Sequence, residues 1–96
     1  MSELTLVSKG HHPLKPLVEA ALANELRLVE VAIRRTEQRL CEFETKHQSS
    51  TDEFIRRYED DQLEESLEFA EWVGEYRLLK RLREKAKTLR EIQFAN

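Results

Sequence analysis

Leu22-Ala23-Asn24-Glu25-Leu26-Arg27-Leu28-Val29-Glu30-Val31-Ala32-Ile33-Arg34-Arg35-Thr36-Glu37-Gln38-Arg39-Leu40-Cys41-Glu42-Phe43 decides the architecture. Leu22, Leu26, Val29, Ile33, Thr36, Leu40 and Phe43 alternate four and three residues apart, the spacing of one helix face packed along another helix. A second apolar set, Leu17, Ala21, Leu28 and Val31, falls on nearly the opposite side and gives way to polar residues after Arg34 and Arg35. One neighbour covers one face, so the amino-terminal half of this helix has apolar surface to spare. The spacing predicts a helix over about 14–47. It starts near Leu14 or Pro16, because the residue before a proline avoids helical geometry and a proline fits a first turn.

Working outward, residues 61–95 show a second helical period. Leu63, Leu67, Ala70, Gly74, Leu78, Leu82, Lys85 or Ala86, Leu89 and Ile92 track one face, widened by Phe69, Val73, Tyr76 and Leu79, with Asp60 or Asp61 as the expected cap. Gly74 inside the stripe predicts a close helix crossing, flanked by Trp72 and Tyr76, since glycine is unfavourable in a helix interior. Between the two periods, Ser50 followed three residues later by Glu53 is a capping-box arrangement, predicting a short helix through about Tyr58. The expected fold is all-α: an antiparallel hairpin of two long helices of similar length, about 50 Å, joined by a short one and assembling as a dimeric bundle. Residues 1–13, with partial alternation over 3–8 and prolines at 13 and 16, are expected as an extended or strand-like arm, and residues 14–96 as the hairpin domain.

Composition bounds the function. Thirty-six percent charged residues with two glycines and two prolines suit long, surface-rich helices. A 96-residue hairpin buries little surface alone, which predicts a homo-oligomer or a partner. The net charge of −3 hides an asymmetry: residues 52–71 carry nine acids against two arginines, whereas residues 72–96 carry seven basic residues against three acids. The acidic run argues against a general nucleic-acid binder, although the basic end could touch phosphate. Without a signal-like segment or an apolar run of membrane length, a cytoplasmic location is expected, with no membrane partner.

Catalysis finds little footing. Cys41 lies on the polar side of the first helix with no histidine at i±4, and the paired carboxylates Asp60-Asp61 and Glu64-Glu65 belong to solvated surface. His11 and His12 are adjacent, so their rings diverge, and no acid or cysteine stands at ligand spacing. His47 ends the first seam, where it could meet the helix's terminal carbonyls. No glycine-rich phosphate loop is present, so neither enzyme activity nor a cofactor or metal is expected.

The remaining candidate is the acidic segment interleaved with rings. Phe54, Tyr58, Phe69 and Trp72 would anchor a basic protein surface, and Asp60, Asp61, Glu64 and Glu65 would steer it, unless the rings simply belong to the core. Leu17, Ala21, Leu28 and Val31 are the candidate self-association surface.

Along Phe43-Glu44-Thr45-Lys46-His47-Gln48-Ser49-Ser50-Thr51-Asp52-Glu53-Phe54-Ile55-Arg56-Arg57-Tyr58-Glu59 and Leu67-Glu68-Phe69-Ala70-Glu71-Trp72, the chain resembles a group of small prokaryotic helical proteins. These share a pattern of the form FExKYxxSxEEFxxRYExxxLxxxxDFxEW, and they resemble the antitoxin halves of toxin–antitoxin pairs. Here His47 stands where the pattern favours an aromatic and Glu68 where it favours aspartate, and no helix-turn-helix or ribbon-helix-helix reader is recognisable. The resemblance, over about residues 14–96, implies a non-catalytic protein that neutralises or regulates a toxin-like partner. Two alternatives are a structural coiled-coil adaptor and a DNA-binding regulator using Lys9, His11, His12 and Lys15 or the basic residues from Arg77 to Arg90.

Overall fold

The computed structural model describes residues 2–4 and 13–94. The chain order is β1 (Ser2–Leu4), α1 (Leu14–His47), α2 (Thr51–Glu59), α3 (Leu67–Glu91) and β2 (Ile92–Phe94). It is an all-α antiparallel hairpin: α1 and α3 pack lengthwise, α2 sits at the turn, and β1 pairs in parallel with β2 in the register Ser2 to Ile92. The result is a rod of 61 × 21 × 18 Å. His11 and His12, and the stretch 5–12 of the expected arm, lie outside the described residues.

The predicted seam of α1 is the packed one. Val29, Thr36, Leu40 and Phe43 are buried, and Leu22, Leu26 and Ile33 are half-buried. Thr36 satisfies its hydroxyl locally by donating to the Ala32 carbonyl at 2.8 Å, so a polar residue sits in the seam without an orphaned group. α1 ends at Gln48, which adopts the left-handed conformation (φ 51°) and donates its N–H to the Glu44 carbonyl. Ser50 then caps α2, its hydroxyl accepting from the Glu53 N–H at 3.1 Å.

The second period is phased differently from the expectation. Neither Asp60 nor Asp61 caps the last helix. Asp60 closes α2, Asp61 has φ 57°, and the Asp61 and Gln62 N–H groups donate back to the Tyr58 and Arg57 carbonyls. The chain reverses here, and α3 begins only at Leu67, capped by the Ser66 hydroxyl accepting from the Phe69 N–H at 3.0 Å. With 25 residues against 34, α3 is about 37 Å long and α1 about 51 Å, so the arms are unequal. It ends at Glu91, before β2.

The face of α3 is corrected too. Leu67, Ala70 and Gly74 are exposed, whereas Trp72, Val73, Leu79 and Ala86 are buried and Phe69, Tyr76, Leu78, Leu82 and Leu89 half-buried. Gly74 is no helix crossing: a Cβ built there meets nothing within 4 Å. Both phases have helical spacing, and the one that buries the rings removes far more apolar area from water.

Candidate protein-interaction surfaces

At the turn end, the elements converge on the single tryptophan. Trp72 is 1% exposed and stacks on Phe54 (centroids 3.8 Å apart, 3° between planes), on Phe43 (5.5 Å, 9°) and on His47 (5.3 Å, 25°). Its indole N–H donates to Thr51 Oγ1 at 3.0 Å. Phe69 packs against Phe54 and meets His47 edge-on, and Tyr58 lies beside Phe54. Burial of each large ring contributes roughly 1.5–3 kcal/mol, which explains why this cluster phases α3. Phe54 and Trp72, expected as surface anchors, are core residues of the folded chain, and Phe69 and Tyr58 are half-buried against them.

His47 does not turn to the helix carbonyls. Its Nε2 lies 2.8 Å from Glu68 Oε1, and Lys46 Nζ reaches the same carboxylate at 2.9 and 3.0 Å. α1 thus ends with two basic side chains on the second residue of α3, where a carboxylate also favours the helix amino terminus. The Lys46 ammonium first, and His47 next, hold the Glu68 carboxyl below the usual carboxylate range against the opposing effect of desolvation.

The acids expected as steering groups remain outside. Asp60, Asp61, Glu64 and Glu65 are exposed; Glu65 accepts from the Tyr58 hydroxyl at 3.2 Å, which raises the Tyr58 pKa. Glu59, Asp60, Asp61 and Glu64 form no ion pair among the described residues. Immediately after them stands Leu67, 78% exposed, at the lip of an open groove with Arg39, Glu42, Phe43, Lys46, Glu68 and Glu71. Sequence reasoning missed Leu67 by giving it to the core; the phase of α3 that turns it outward is set by the rings packed from distant segments.

The other candidate surface is where it was expected. Leu17, Leu28 and Val31 are 63%, 56% and 43% exposed, and Ala21 is exposed beside them. On a helical wheel Arg39, Glu42 and Lys46, which line the Leu67 groove, continue the same side of α1. Among the described residues, the exposed large apolar side chains Leu17, Leu28, Val31 and Leu67 therefore share one flank of the rod.

The basic residues of α3 are partly committed. Arg83 reaches Glu37 at 3.0 Å, Lys85 reaches Glu25 at 2.8 Å and Arg90 reaches Glu30 at 2.9 Å, so the charge asymmetry read along the chain is spent in part across the hairpin. Among the described residues no group of three or more His, Cys, Asp or Glu side chains could hold a metal ion, and no helix is long and apolar enough to cross a membrane. Cys41 is a free, exposed thiol. No protein-family model, no curated protein and no solved structure matches the chain.

Proposed function

We propose that this protein is a non-catalytic binding module that neutralises or regulates a basic, toxin-like partner by direct contact, in the manner of the antitoxins it resembles. The observation that carries the reading is Leu67: a leucine 78% exposed on the first turn of a helix, directly after an acidic turn whose carboxylates are largely unengaged. An apolar anchor beside unpaired charge is what a protein interface uses, the charge for encounter and the desolvated side chain for residence. Leu67 takes the anchoring role that sequence spacing assigned to Phe54 and Trp72, with Asp60, Asp61, Glu64 and Glu65 steering. Self-association through Leu17, Ala21, Leu28 and Val31 belongs to the same reading, and it also supports the alternative of a structural adaptor. The DNA-binding alternative is weakened by the engagement of Arg83, Lys85 and Arg90 with carboxylates of α1.

The test is to express the product of each adjacent reading frame alone and with this chain. A neighbour that arrests growth alone, is rescued by co-expression and co-purifies with the chain is the expected result. Leu67→Asp should lose rescue while helicity is unchanged. If neither neighbour slows growth, or if Leu67→Asp combined with lysine at Asp60, Asp61, Glu64 and Glu65 rescues fully, the reading fails.

A further inference from the structure

We propose that the outer seam of α1 pairs with the same seam of a second copy, antiparallel, in one register: Leu14 on Val31, Leu17 on Leu28 and Ala21 on Asn24, each contact made twice. The inference rests on the self-association part of the reading above and adds the geometry.

Leu17, Ala21, Asn24, Leu28 and Val31 repeat at intervals of four and three, a complete second heptad seam on α1, and Leu14 extends it by one position. In an antiparallel pair, the two classes of seam position face each other across the helices. Leu14, Ala21 and Leu28 form one class; Leu17, Asn24 and Val31 form the other. A twofold axis between Leu22 and Ala23 pairs every member of one class with a member of the other, leaving none over. The outer layers are then aliphatic on both sides, and the central layers set small Ala21 against larger Asn24.

Charge selects the same arrangement. No residue of the seam from Leu14 to Val31 is charged, and the seam stops at Arg35. In the antiparallel register the flanking Glu25 meets Val18, and Arg27 meets Ala20, so no like charges face each other. A parallel pair would set Arg35 against Arg35 and bring both acidic turns, Glu59 to Glu65, to one end. The antiparallel pair sends those turns, and the exposed Leu67 beside them, to opposite ends of an elongated dimer. About 27 Å of each α1 is engaged, a contact of one helix face on another, so the dimer is expected to be concentration-dependent.

The experiment is sedimentation equilibrium on the full chain with Leu17→Glu, Leu28→Lys and both together, folding being checked by circular dichroism. These positions are exposed in the single chain, so helicity should persist. Each single variant should weaken association roughly tenfold or more by placing an unpaired charge in the contact. The double variant should recover it, because the register opposes the two new charges across the axis. In a Cys41→Ser background, Asn24→Cys should cross-link to itself, whereas Leu17→Cys should not, its two copies lying about 16 Å apart along the axis. A wild-type monomer at several hundred micromolar overturns self-association. A dimer that the double variant does not restore, or that cross-links through Leu17→Cys, overturns the register alone. Growth rescue by Leu67 variants is read separately, so failure of toxin binding and failure of the dimer are distinguishable.

Discussion

Trp72 and Thr51, 21 positions apart, share a buried hydrogen bond: the indole N–H donates to the threonine hydroxyl at 3.0 Å. Thr51 is the first residue of α2, is 6% exposed, and donates its own N–H to Glu44 Oε2 at 2.7 Å. One residue thus joins all three helices where the chain turns, through its backbone N–H to α1 and its hydroxyl to α3. Thr51→Val keeps the shape and removes the acceptor, leaving a buried indole N–H without a partner. That should destabilise the fold by about 1–3 kcal/mol, whereas Thr51→Ser should recover most of the loss. Urea unfolding followed by the fluorescence of the single tryptophan measures both; equal stability of the valine and serine variants would show that the bond contributes nothing.

Gly74→Ala should stabilise the protein by about 0.8–1 kcal/mol, since the glycine lies in α3 with open space where a Cβ would stand. Gln48→Gly should add several tenths of a kcal/mol to about 1 by relieving the left-handed conformation at the end of α1. Thermal melting of the two single variants and the double tests this, and the effects should add because the sites share no contact. A loss of stability on Gly74→Ala would mean that the position is covered in an assembly.

The three ion pairs between α1 and α3 should set alignment more than stability. Their side chains are 40–58% exposed, and exposed pairs contribute about 0–1 kcal/mol each. A double-mutant cycle on Arg83→Ala and Glu37→Ala should give a coupling below about 1 kcal/mol that shrinks further in high salt. A larger, salt-insensitive coupling would overturn this.

What was legible in the sequence was the part governed by a single local signal. The seam from Leu22 to Phe43 has one phase, and Ser50 with Glu53 has one interpretation as a cap, so α1 and α2 were placed correctly. α3 offered two of each. Asp60, Asp61 and Ser66 are all capping residues, and Leu63-Leu67-Ala70-Gly74 competes with Phe69-Trp72-Val73-Tyr76 for the buried face. Ring packing between distant segments decides that competition: Phe43, Phe54 and Trp72 stack on one another, and Leu63 folds back against the same core, which requires the chain to reverse before α3 begins. The exposed position of Leu67 follows from that outcome and so was hidden from local spacing. The outer stripe was legible because it depends only on the geometry of one helix.

Acid should loosen the turn end before it unfolds the rod. The Glu68 carboxyl titrates below its ordinary value of 4.5 because it accepts from Lys46 and then from His47. Glu53 is lowered as well, chiefly by its hydrogen bond to Arg56. A carboxyl whose folded pKa is depressed contributes stability that is fully present above the unfolded value and is lost as pH falls through the folded one. Melting temperature should therefore hold steady above about pH 5 and decline as pH falls below 4.5. Glu68→Gln should lower it at pH 6 and converge on the wild type as pH falls through the folded-state value of the wild-type carboxyl. Because His47 stacks on Trp72 while holding Glu68, loss of that contact should also change the tryptophan emission. Wild-type and variant melting curves that run parallel across the acid range would show that Glu68 is not linked to folding.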